Sequence, residues 1–253
     1  MIKVSINGAA GRMGKIITEL CLQDKDIKII GLIDTNHIPT PECLPKIEPD
    51  INKYIKDTDV VIDFSTPEGT KKALIACIKS NTPIVIGTTG HSLEEQEFIK
   101  KCSNDIPVIL SPNMSLGINL MFKLVELVTN VLKEQPYDIE IIEAHHNKKK
   151  DAPSGTAKKI MEIIKKLKPE VEFVYGRNGI IGERKPNEVG VNVIRCGDIV
   201  GEHTVLYSTY GEKIEIKHTA TSRETFAKGA ILAAKWIVGK PAGLYTMFDV
   251  LQI

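Results

Sequence analysis

The segment GAAGRMG at positions 8–14 constrains the fold of this chain more than any other feature. It follows a β-branched run at Ile2–Ile6 and precedes apolar residues at helical spacing, so it predicts a strand, a tight turn and a helix. A pyrophosphate binds the N–H groups at such a helix start, because glycines let the backbone approach the phosphates closely. The residues predicted to bind a dinucleotide here are Gly8, Ala9, Ala10, Gly11, Arg12 and Met13. A turn that binds no ligand has the same pattern.

The first half of the chain repeats this alternation of strands and helices. Four further apolar runs are predicted strands: residues 27–34, 60–65, 83–89 and 107–111. The first of them is nearly continuous, as is typical of a strand covered on both faces. Ser92 and Glu95 form a capping-box pattern that predicts a helix ending near Cys102. This alternation predicts an α/β fold with a Rossmann-type doubly wound parallel sheet.

The pattern changes after about Ser115, which indicates a second domain. A long amphipathic helix is predicted at residues 116–133, and another helix starts near Gly155. The later runs VNVIRC, TVLYSTY and KIEIKH alternate apolar and polar residues, as antiparallel strands do. These elements predict an α+β domain built on a mixed or antiparallel sheet.

The last predicted helix, at about residues 223–238, is apolar enough to pack back onto the first domain. We therefore predict a dinucleotide-binding domain at residues 1–114 plus 223–253. Residues 115–222 are predicted to form the substrate-binding and oligomerisation domain.

Composition argues against several classes of protein. Lys and Arg total 33 against 32 Asp and Glu, a balance that does not favour a nucleic-acid or membrane-surface protein. No apolar run approaches the roughly 20 residues that span a bilayer, and the N-terminus lacks a signal-peptide pattern. The five cysteines are widely spaced and never form a C-x-x-C pair, so we expect thiols in a reducing compartment. These observations predict a cytoplasmic protein.

Three other segments extend the predicted dinucleotide site. Asp34 ends the second strand, where its carboxylate would accept hydrogen bonds from the adenosine ribose and repel a 2′-phosphate, which favours NADH. The nearby cations Arg12 and Lys15 leave NADPH open. Ligands of open parallel sheets lie beyond the carboxyl ends of the strands. Two turns at those ends are therefore also predicted to contact the cofactor: Gly87, Thr88 and Thr89, and Ser111, Pro112, Asn113 and Met114.

The segment EAHHNKKKDAPSGTA at positions 143–157 is the most specific stretch of the sequence. A zinc site would need further ligands at suitable spacing, which neither the cysteines nor a third clustered histidine supplies, so no metal is expected. Lys148 and Lys150 are interpreted as part of a solvated charged loop. A histidine that titrates near neutrality passes protons, and a nearby ammonium acts as an acid or neutralises an anion. The Ser154-Gly155-Thr156 turn offers N–H groups and a hydroxyl at a helix start, which suits a carboxylate.

Together with DFSTP, GTTG, SPNMSLGIN and TSRETFAKGA, these segments resemble the 4-hydroxy-tetrahydrodipicolinate reductase (dihydrodipicolinate reductase) family of the diaminopimelate route to lysine. The resemblance covers essentially the whole chain. It implies NAD(P)H-dependent reduction of a cyclic dicarboxylate with loss of water. It also implies a homotetramer that assembles through the sheet of the C-terminal domain.

The resemblance assigns roles to residues of the second domain. It makes His145 the proton donor or acceptor and Lys149 the second proton donor. It places His146, Gly155 and Thr156 on the substrate carboxylates. The predicted cofactor residues fall on the family's cofactor-binding positions.

Two alternatives remain at this stage. Another two-domain nicotinamide enzyme, such as an aspartate or homoserine dehydrogenase, would share the first half but has no need of the HHNKKKDAPSGT segment. A non-catalytic dinucleotide sensor would keep the glycine turn and Asp34 without using His145 or Lys149.

Overall fold

The computed structural model describes all 253 residues. The strands are β1 (Ile2–Asn7), β2 (Ile27–Ile33), β3 (Ile47–Glu48), β4 (Val60–Asp63), β5 (Ile84–Ile86), β6 (Pro107–Leu110), β7 (Asp138–His145), β8 (Glu172–Tyr175), β9 (Glu188–Arg195), β10 (Gly201–Thr209), β11 (Glu212–Ala220) and β12 (Gly243–Tyr245). The helices are α1 (Arg12–Gln23), α2 (Pro67–Ser80), α3 (Leu93–Cys102), α4 (Leu116–Leu132), α5 (Gly155–Leu167), α6 (Glu224–Ile237) and α7 (Met247–Leu251). None of the helices combines the length and apolarity needed to cross a bilayer.

The chain divides into two compact units. Unit 1 contains Met1–Leu116 together with Arg223–Ile253, and unit 2 contains Gly117–Ser222. The C-terminal helices α6 and α7 therefore belong to the same unit as the glycine turn.

Unit 1 is built on a seven-stranded sheet in the order β12-β6-β5-β4-β1-β2-β3. Every pair of neighbouring strands is parallel. Helices α1 and α6 pack on one face through Ile17, Ala230 and their neighbours. Helices α2 and α3 pack on the other through Leu74, Ile99 and their neighbours. A parallel sheet covered on both faces confirms the predicted doubly wound α/β fold.

Local signals explain where several helices of unit 1 begin. Ser92 accepts a hydrogen bond from the N–H of Glu95, whose side chain bonds back to Ser92, so the predicted capping box is present. Thr66 caps α2 by accepting from Gly69 N–H, and Pro67 follows at the first helical position. The short edge strands β3 and β12 were not predicted, because two or three residues carry no periodic signal.

Unit 2 is built on a five-stranded mixed sheet in the order β11-β10-β7-β9-β8. Strand β10 is antiparallel to both β7 and β11, as the alternation in TVLYSTY and KIEIKH predicts. The prediction that VNVIRC forms an antiparallel strand was wrong, because β9 runs parallel to both β7 and β8. Apolar and polar residues alternate in any strand with one covered face, so the pattern does not encode strand direction.

Helix α4 packs on one face of this sheet. The hydroxyls of Thr129 on α4 and Tyr207 on β10 are 2.7 Å apart, and both side chains are buried. Residues on the same face of the sheet as Tyr207 therefore point toward the interior of unit 2. On the central strand β7, these inward positions hold Ile139, Ile141 and Glu143.

Candidate functional site

The glycine turn of unit 1 brings backbone, rather than side chains, to the start of α1. Gly8 has a φ of +84°, and a Cβ there would lie 2.3 Å from the carbonyl oxygen of Phe64. A Cβ on Gly14 would lie 2.1 Å from the carbonyl oxygen of Gly8. No side chain caps the N-terminus of α1 at Gly11. The first N–H groups of this helix therefore remain available to an anion.

Asp34 lies beside the glycine turn, immediately after β2. Its Oδ2 accepts a hydrogen bond from the N–H of Ala10 at 3.0 Å, and its Oδ1 accepts one from Asn36 N–H at 2.9 Å. A carboxylate has about four acceptor sites, so Asp34 keeps acceptor capacity for the hydroxyls of a ribose. The structure thus brings together two features that are 20 or more positions apart in the sequence.

Two cavities of unit 1 contain nearly all the predicted cofactor residues. A cavity of about 420 Å³ is lined by Gly8, Ala10, Gly11 and Asp34. A second, of about 430 Å³, is lined by Arg12, Met13, Gly87, Thr88, Thr89, Ser111, Pro112, Asn113 and Met114. Phe64 and Ser65 line both cavities. Ala9 is buried and lines neither.

A buried carboxylate that sequence reasoning missed holds the loops around these cavities. Asp63, at the end of β4, is fully buried and accepts hydrogen bonds from Asn7 Nδ2 at 2.7 Å and Ser65 Oγ at 2.5 Å. Its other oxygen accepts from Thr70 Oγ1 at 2.5 Å and Thr88 Oγ1 at 2.8 Å. Burial raises the pKa of Asp63, and these donors oppose the rise. Asp63 thereby connects the ends of β1 and β4 to the loop after β5 and to α2.

The turn after β6 is fixed by its own backbone and by α6. Ser111 Oγ donates to the carbonyl oxygen of Asn113 at 2.8 Å. A Cβ on Gly229 of α6 would lie only 1.7 Å from the carbonyl oxygen of Met114. The side chain of Met114 is 1% exposed and belongs to the hydrophobic core. This turn therefore has a defined position before any ligand binds.

The predicted proton carrier of unit 2, His145, is held by Glu143. Its Nδ1 lies 2.6 Å from Glu143 Oε2, and its side chain is 12% exposed. Arg195 on the neighbouring strand β9 donates to both oxygens of Glu143, at 2.8 and 2.9 Å. Burial raises the pKa of Glu143, but hydrogen bonds from His145, Arg195 and Ser154 N–H outweigh it and lower the pKa to about 2. Glu143 and Arg195 were not predicted as site residues.

The start of α5 lies against the same carboxylate. Ser154 N–H donates to Glu143 Oε1 at 2.9 Å, and Ser154 Oγ accepts from Ala157 N–H as the N-cap of the helix. Ser154 Oγ also lies 3.1 Å from Nε2 of the buried His203. A Cβ on Gly155 would meet nothing within 4 Å, so the helix start is open at this position.

The loop between β7 and α5 carries the remaining predicted residues. Lys149 Nζ lies 2.9 Å from Asp151 Oδ1, and the Lys149 side chain is 21% exposed, whereas Lys148 and Lys150 are exposed. Arg195 Nη2 donates to the carbonyl oxygen of Asp151 at 2.7 Å, which anchors the loop. His146 and Thr156 are half-buried at the two ends of the segment. The segment therefore combines the imidazole of His145, the ammonium of Lys149 and an open helix start at Gly155.

A separate cavity of unit 2 lies away from His145. It has a volume of about 800 Å³ and is lined by residues around the start of β7, among them Lys133, Tyr137 and Arg184. His145 is at the other end of the same strand. No group of three or more His, Cys, Asp or Glu side chains is arranged to hold a metal ion.

Comparison with known proteins gives the same family for both halves of the chain. The family model described as dihydrodipicolinate reductase, N-terminus, matches residues 2–114. The model described as dihydrodipicolinate reductase, C-terminus, matches residues 117–251. The two models together span nearly the entire sequence.

Curated relatives match over their full length. The 4-hydroxy-tetrahydrodipicolinate reductase of Aquifex aeolicus is 47% identical over 272 aligned positions, which cover 100% of this chain and 99% of the relative. The protein of the same name from Syntrophotalea carbinolica is 43% identical, with 100% of each chain covered.

Solved structures share the fold. The dipicolinate-bound dihydrodipicolinate reductase of Paenisporosarcina sp. TG-14 has a TM-score of 0.81 at 23% identity and covers 98% of both chains. The aspartate dehydrogenase of Thermotoga maritima has a TM-score of only 0.54 at 14% identity, with 95% of this chain and 97% of that chain covered. The aspartate dehydrogenase type, one of the alternatives above, therefore shares the architecture alone.

Proposed function

Because the chain belongs to the dihydrodipicolinate reductase family, we propose a role in the family reaction for each part of the two sites. The activity is 4-hydroxy-tetrahydrodipicolinate reduction in lysine biosynthesis, and it depends on NAD(P)H. The proposal concerns which residues bind, orient and protonate. The observation that carries it is the Glu143 carboxylate, which holds His145 and the start of α5 beside each other.

The glycine turn and α1 of unit 1 bind the dinucleotide. The residue set fits this ligand, since a Cβ at Gly8 or Gly14 would collide with backbone and no side chain makes a capping hydrogen bond at the helix start. The pyrophosphate lies against the N–H groups of Arg12 and Met13 at the start of α1, because the Gly11 N–H already donates to the carbonyl oxygen of Gly8. The helix dipole favours negative charge there. Thr88, Thr89 and the turn at 111–114 border the nicotinamide half.

Asp34 gives the enzyme a preference for NADH. The cavity that contains Asp34 is also lined by Glu68 and Lys72, whose side chains lie 3.5 Å apart, so its one cation already has a carboxylate partner. Thr35, next in the chain, supplies no charge for a 2′-phosphate. A ribose with two free hydroxyls suits Asp34 better than a phosphorylated one.

The start of α5 holds the carboxylates of the substrate. A Cβ on Gly155 would meet no atom within 4 Å, so the helix start is open there, and Thr156 adds a hydroxyl one residue later. An anion at this position gains hydrogen bonds and a favourable helix dipole. His146 adds an imidazole and Lys149 adds the positive charge of its ammonium at the other end of the segment.

His145 and Lys149 handle the proton. The 4-hydroxy substrate first loses water to give a conjugated cyclic imine. When bound, the reduced nicotinamide would supply a hydride to ring carbon four of that imine. The electron-rich ring that results must take up a proton, which His145 delivers through Nε2 because Nδ1 is bonded to Glu143. Lys149 acts as the second proton donor. General acid catalysis of this kind contributes about 10² to 10⁴ in rate.

We further propose that unit 2 assembles a homotetramer through its sheet. The face opposite α4 presents apolar residues that are partly or largely exposed, and Ile194 on β9 is 46% exposed. Leu206 on β10 and Ile142 on β7 are half-buried on the same face. A molar mass near four times 27.9 kDa supports the assembly, and a monomer in solution refutes it.

The substrate class is tested by binding of pyridine-2,6-dicarboxylate, a planar ring diacid. At 100 times its dissociation constant it should add about 2.7 kcal/mol of apparent stability. Thr156→Val should weaken binding, whereas Lys150→Met, in the exposed part of the loop, should not. Equal binding by wild type and Thr156→Val, or no binding by any of the three proteins, contradicts the proposed substrate site.

A further inference from the structure

One buried carboxylate contacts both parts of the proposed substrate site. Glu143 has no exposed side-chain surface, and its Oε2 bonds to His145 Nδ1 at 2.6 Å. Its Oε1 accepts the backbone N–H of Ser154, 11 positions later in the chain, at 2.9 Å. The proton carrier and the N-cap of α5 are therefore joined through a single side chain.

Arg195 fixes this carboxylate from the neighbouring strand. It donates one N–H to each oxygen of Glu143, at 2.8 and 2.9 Å, in the two-pronged geometry that favours arginine over lysine. A third N–H of Arg195 reaches the carbonyl oxygen of Asp151 at 2.7 Å. Arg195 therefore orients Glu143 and the loop that carries Lys149 together.

The contacts of Glu143 determine which nitrogen of His145 carries the proton in the neutral ring. Three N–H groups from Arg195 and Ser154 already donate to the carboxylate, which as an anion can only accept. Nδ1 must then be the protonated nitrogen. Nε2 is left as the nitrogen that exchanges protons with a ligand.

Gly201 and His203 lie beside the His145 ring. A Cβ on Gly201 would lie 3.1 Å from Nε2, a tight contact that a shift of a few tenths of an ångström would have to relieve. The ring of His203 packs edge-on against His145 with centroids 5.2 Å apart. Burial first, and the charge of His145 second, lower the pKa of His203 to about 3, so this neighbour stays neutral. Lys149, whose charge also acts on His203, pairs with Asp151.

We infer that Glu143, held by Arg195, is a positioning residue that sets the tautomer of His145 and the location of the α5 N-terminus together. Neither residue touches the substrate in this scheme, and both act through His145 and Ser154. This inference rests on the proposed function, because it assumes that His145 carries the proton and that α5 binds the carboxylates.

Glu143→Gln tests whether the carboxylate positions His145 and Ser154, with the smallest change in side-chain shape. A glutamine has one accepting oxygen, so it cannot satisfy Arg195, Ser154 and His145 in the same way. We expect kcat to fall by about 10- to 100-fold and the dissociation constant of pyridine-2,6-dicarboxylate to rise by about threefold or more. The affinity for NADH should stay within twofold of wild type.

A spectroscopic readout separates positioning from a general structural role. In protein with ¹⁵N-labelled histidine, the ring nitrogens of His145, identified by their loss in His145→Gln, should show the Nδ1–H tautomer in wild type. The Nε2–H tautomer should increase in Glu143→Gln. A wild-type tautomer in the variant, or a wild-type kcat, overturns the inference.

Two further variants complete the experiment. Asp24→Asn removes a different carboxylate, one paired with Lys235 at 2.7 Å in unit 1, and should leave kcat unchanged. Arg195→Lys keeps the positive charge but loses the paired N–H donors that bind both oxygens of Glu143, and it should lower kcat by about three- to tenfold. If Glu143→Gln does not fold, a wild-type kcat in Arg195→Lys overturns the inference.

The failure of this inference differs from that of the proposed function. If His145→Ala retains wild-type activity, the proton role itself is wrong. If His145→Ala is inactive while Glu143→Gln and Arg195→Lys match wild type, the proton role stands and the positioning role is wrong.

Discussion

Thr88 Oγ1 donates a hydrogen bond to Asp63 Oδ2 at 2.8 Å and accepts one from the backbone N–H of Ser65 at 2.9 Å. Thr88 is one of the predicted cofactor residues, yet its side chain is buried and both of its bonds are internal. The hydroxyl therefore connects the loop after β5 to the end of β4, so Thr88 would act on the proposed nucleotide site through the shape of this loop.

Thr88→Val keeps the shape of the side chain and removes these two bonds. We expect the free energy of unfolding to fall by about 1–3 kcal/mol, because Asp63 and Ser65 N–H each lose a buried partner. NADH affinity should fall as well. Urea unfolding and fluorescence titration check both effects. The control is Thr89→Val, which changes an exposed neighbour and should leave the free energy of unfolding unaltered. Equal stability of wild type and Thr88→Val would contradict the proposed structural role of the Thr88 hydroxyl.

Gly229→Ala should destabilise unit 1 even though alanine is intrinsically the better helix former by about 1 kcal/mol. The added Cβ would lie 1.7 Å from the carbonyl oxygen of Met114, so α6 or the turn at 111–114 must move. Overpacking of this kind costs about 1–3 kcal/mol, and the displaced turn should bind NADH more weakly. Gly155→Ala, where a Cβ meets nothing within 4 Å, should leave the unfolding midpoint within error of wild type.

Asp34 should determine the nucleotide preference. Wild type is expected to use NADH with a kcat/KM about tenfold or more above that for NADPH, a difference of at least 1.4 kcal/mol. In Asp34→Ser with Thr35→Arg, loss of the carboxylate and gain of a guanidinium should reverse the order. The measurement is steady-state kcat/KM with NADH and with NADPH for both proteins. A double variant that still prefers NADH shows that the preference lies elsewhere.

His203 should make stability depend on pH below neutrality. Burial, aided by the charge of His145, lowers its pKa from 6.5 to about 3 in the folded protein. The unfolded chain therefore binds one more proton as pH falls from 6.5 toward 3. The stability that neutral His203 contributes is fully present above pH 6.5. Below that pH, the free energy of unfolding falls by up to about 1.4 kcal/mol for each pH unit.

His203→Gln removes this dependence. Between pH 7.0 and 5.5 the unfolding free energy of wild type should fall by about 1 kcal/mol more than that of the variant. The matched control is His37→Gln, because His37 is exposed and should leave the wild-type slope intact. Parallel slopes for wild type and His203→Gln in urea titrations contradict a neutral buried imidazole.

The parallel sheet of unit 1 could be predicted because its strands are apolar runs between helices with clear start signals. The direction of β9 could not, since alternation reports which face of a strand is covered and not which way it runs. The edge strands β3 and β12 are too short to show periodicity, and they exist because a neighbouring strand offers them backbone partners.

The candidate sites were predicted in part. The glycine turn and the segment at 143–157 carry dense local patterns. Arg195 and His203 reach the site only through strand pairing, which brings β9 and β10 to either side of β7. Asp63 and Glu143 did leave a signal that could have been used, since each is a carboxylate at a buried position of a strand. A buried charge must have partners, and sequence does not say which residues they are.

The central claim is that His145 and Lys149 move the proton while unit 1 binds the nucleotide independently. Turnover and NADH affinity measured side by side in His145→Ala, Lys149→Ala and Lys150→Ala test it most directly. The first two variants should lose about 10²- to 10⁴-fold in kcat, with NADH dissociation constants within twofold of wild type, and Lys150→Ala should match wild type in both. Wild-type turnover in His145→Ala, or NADH binding lost in either of the first two variants, would contradict the claim.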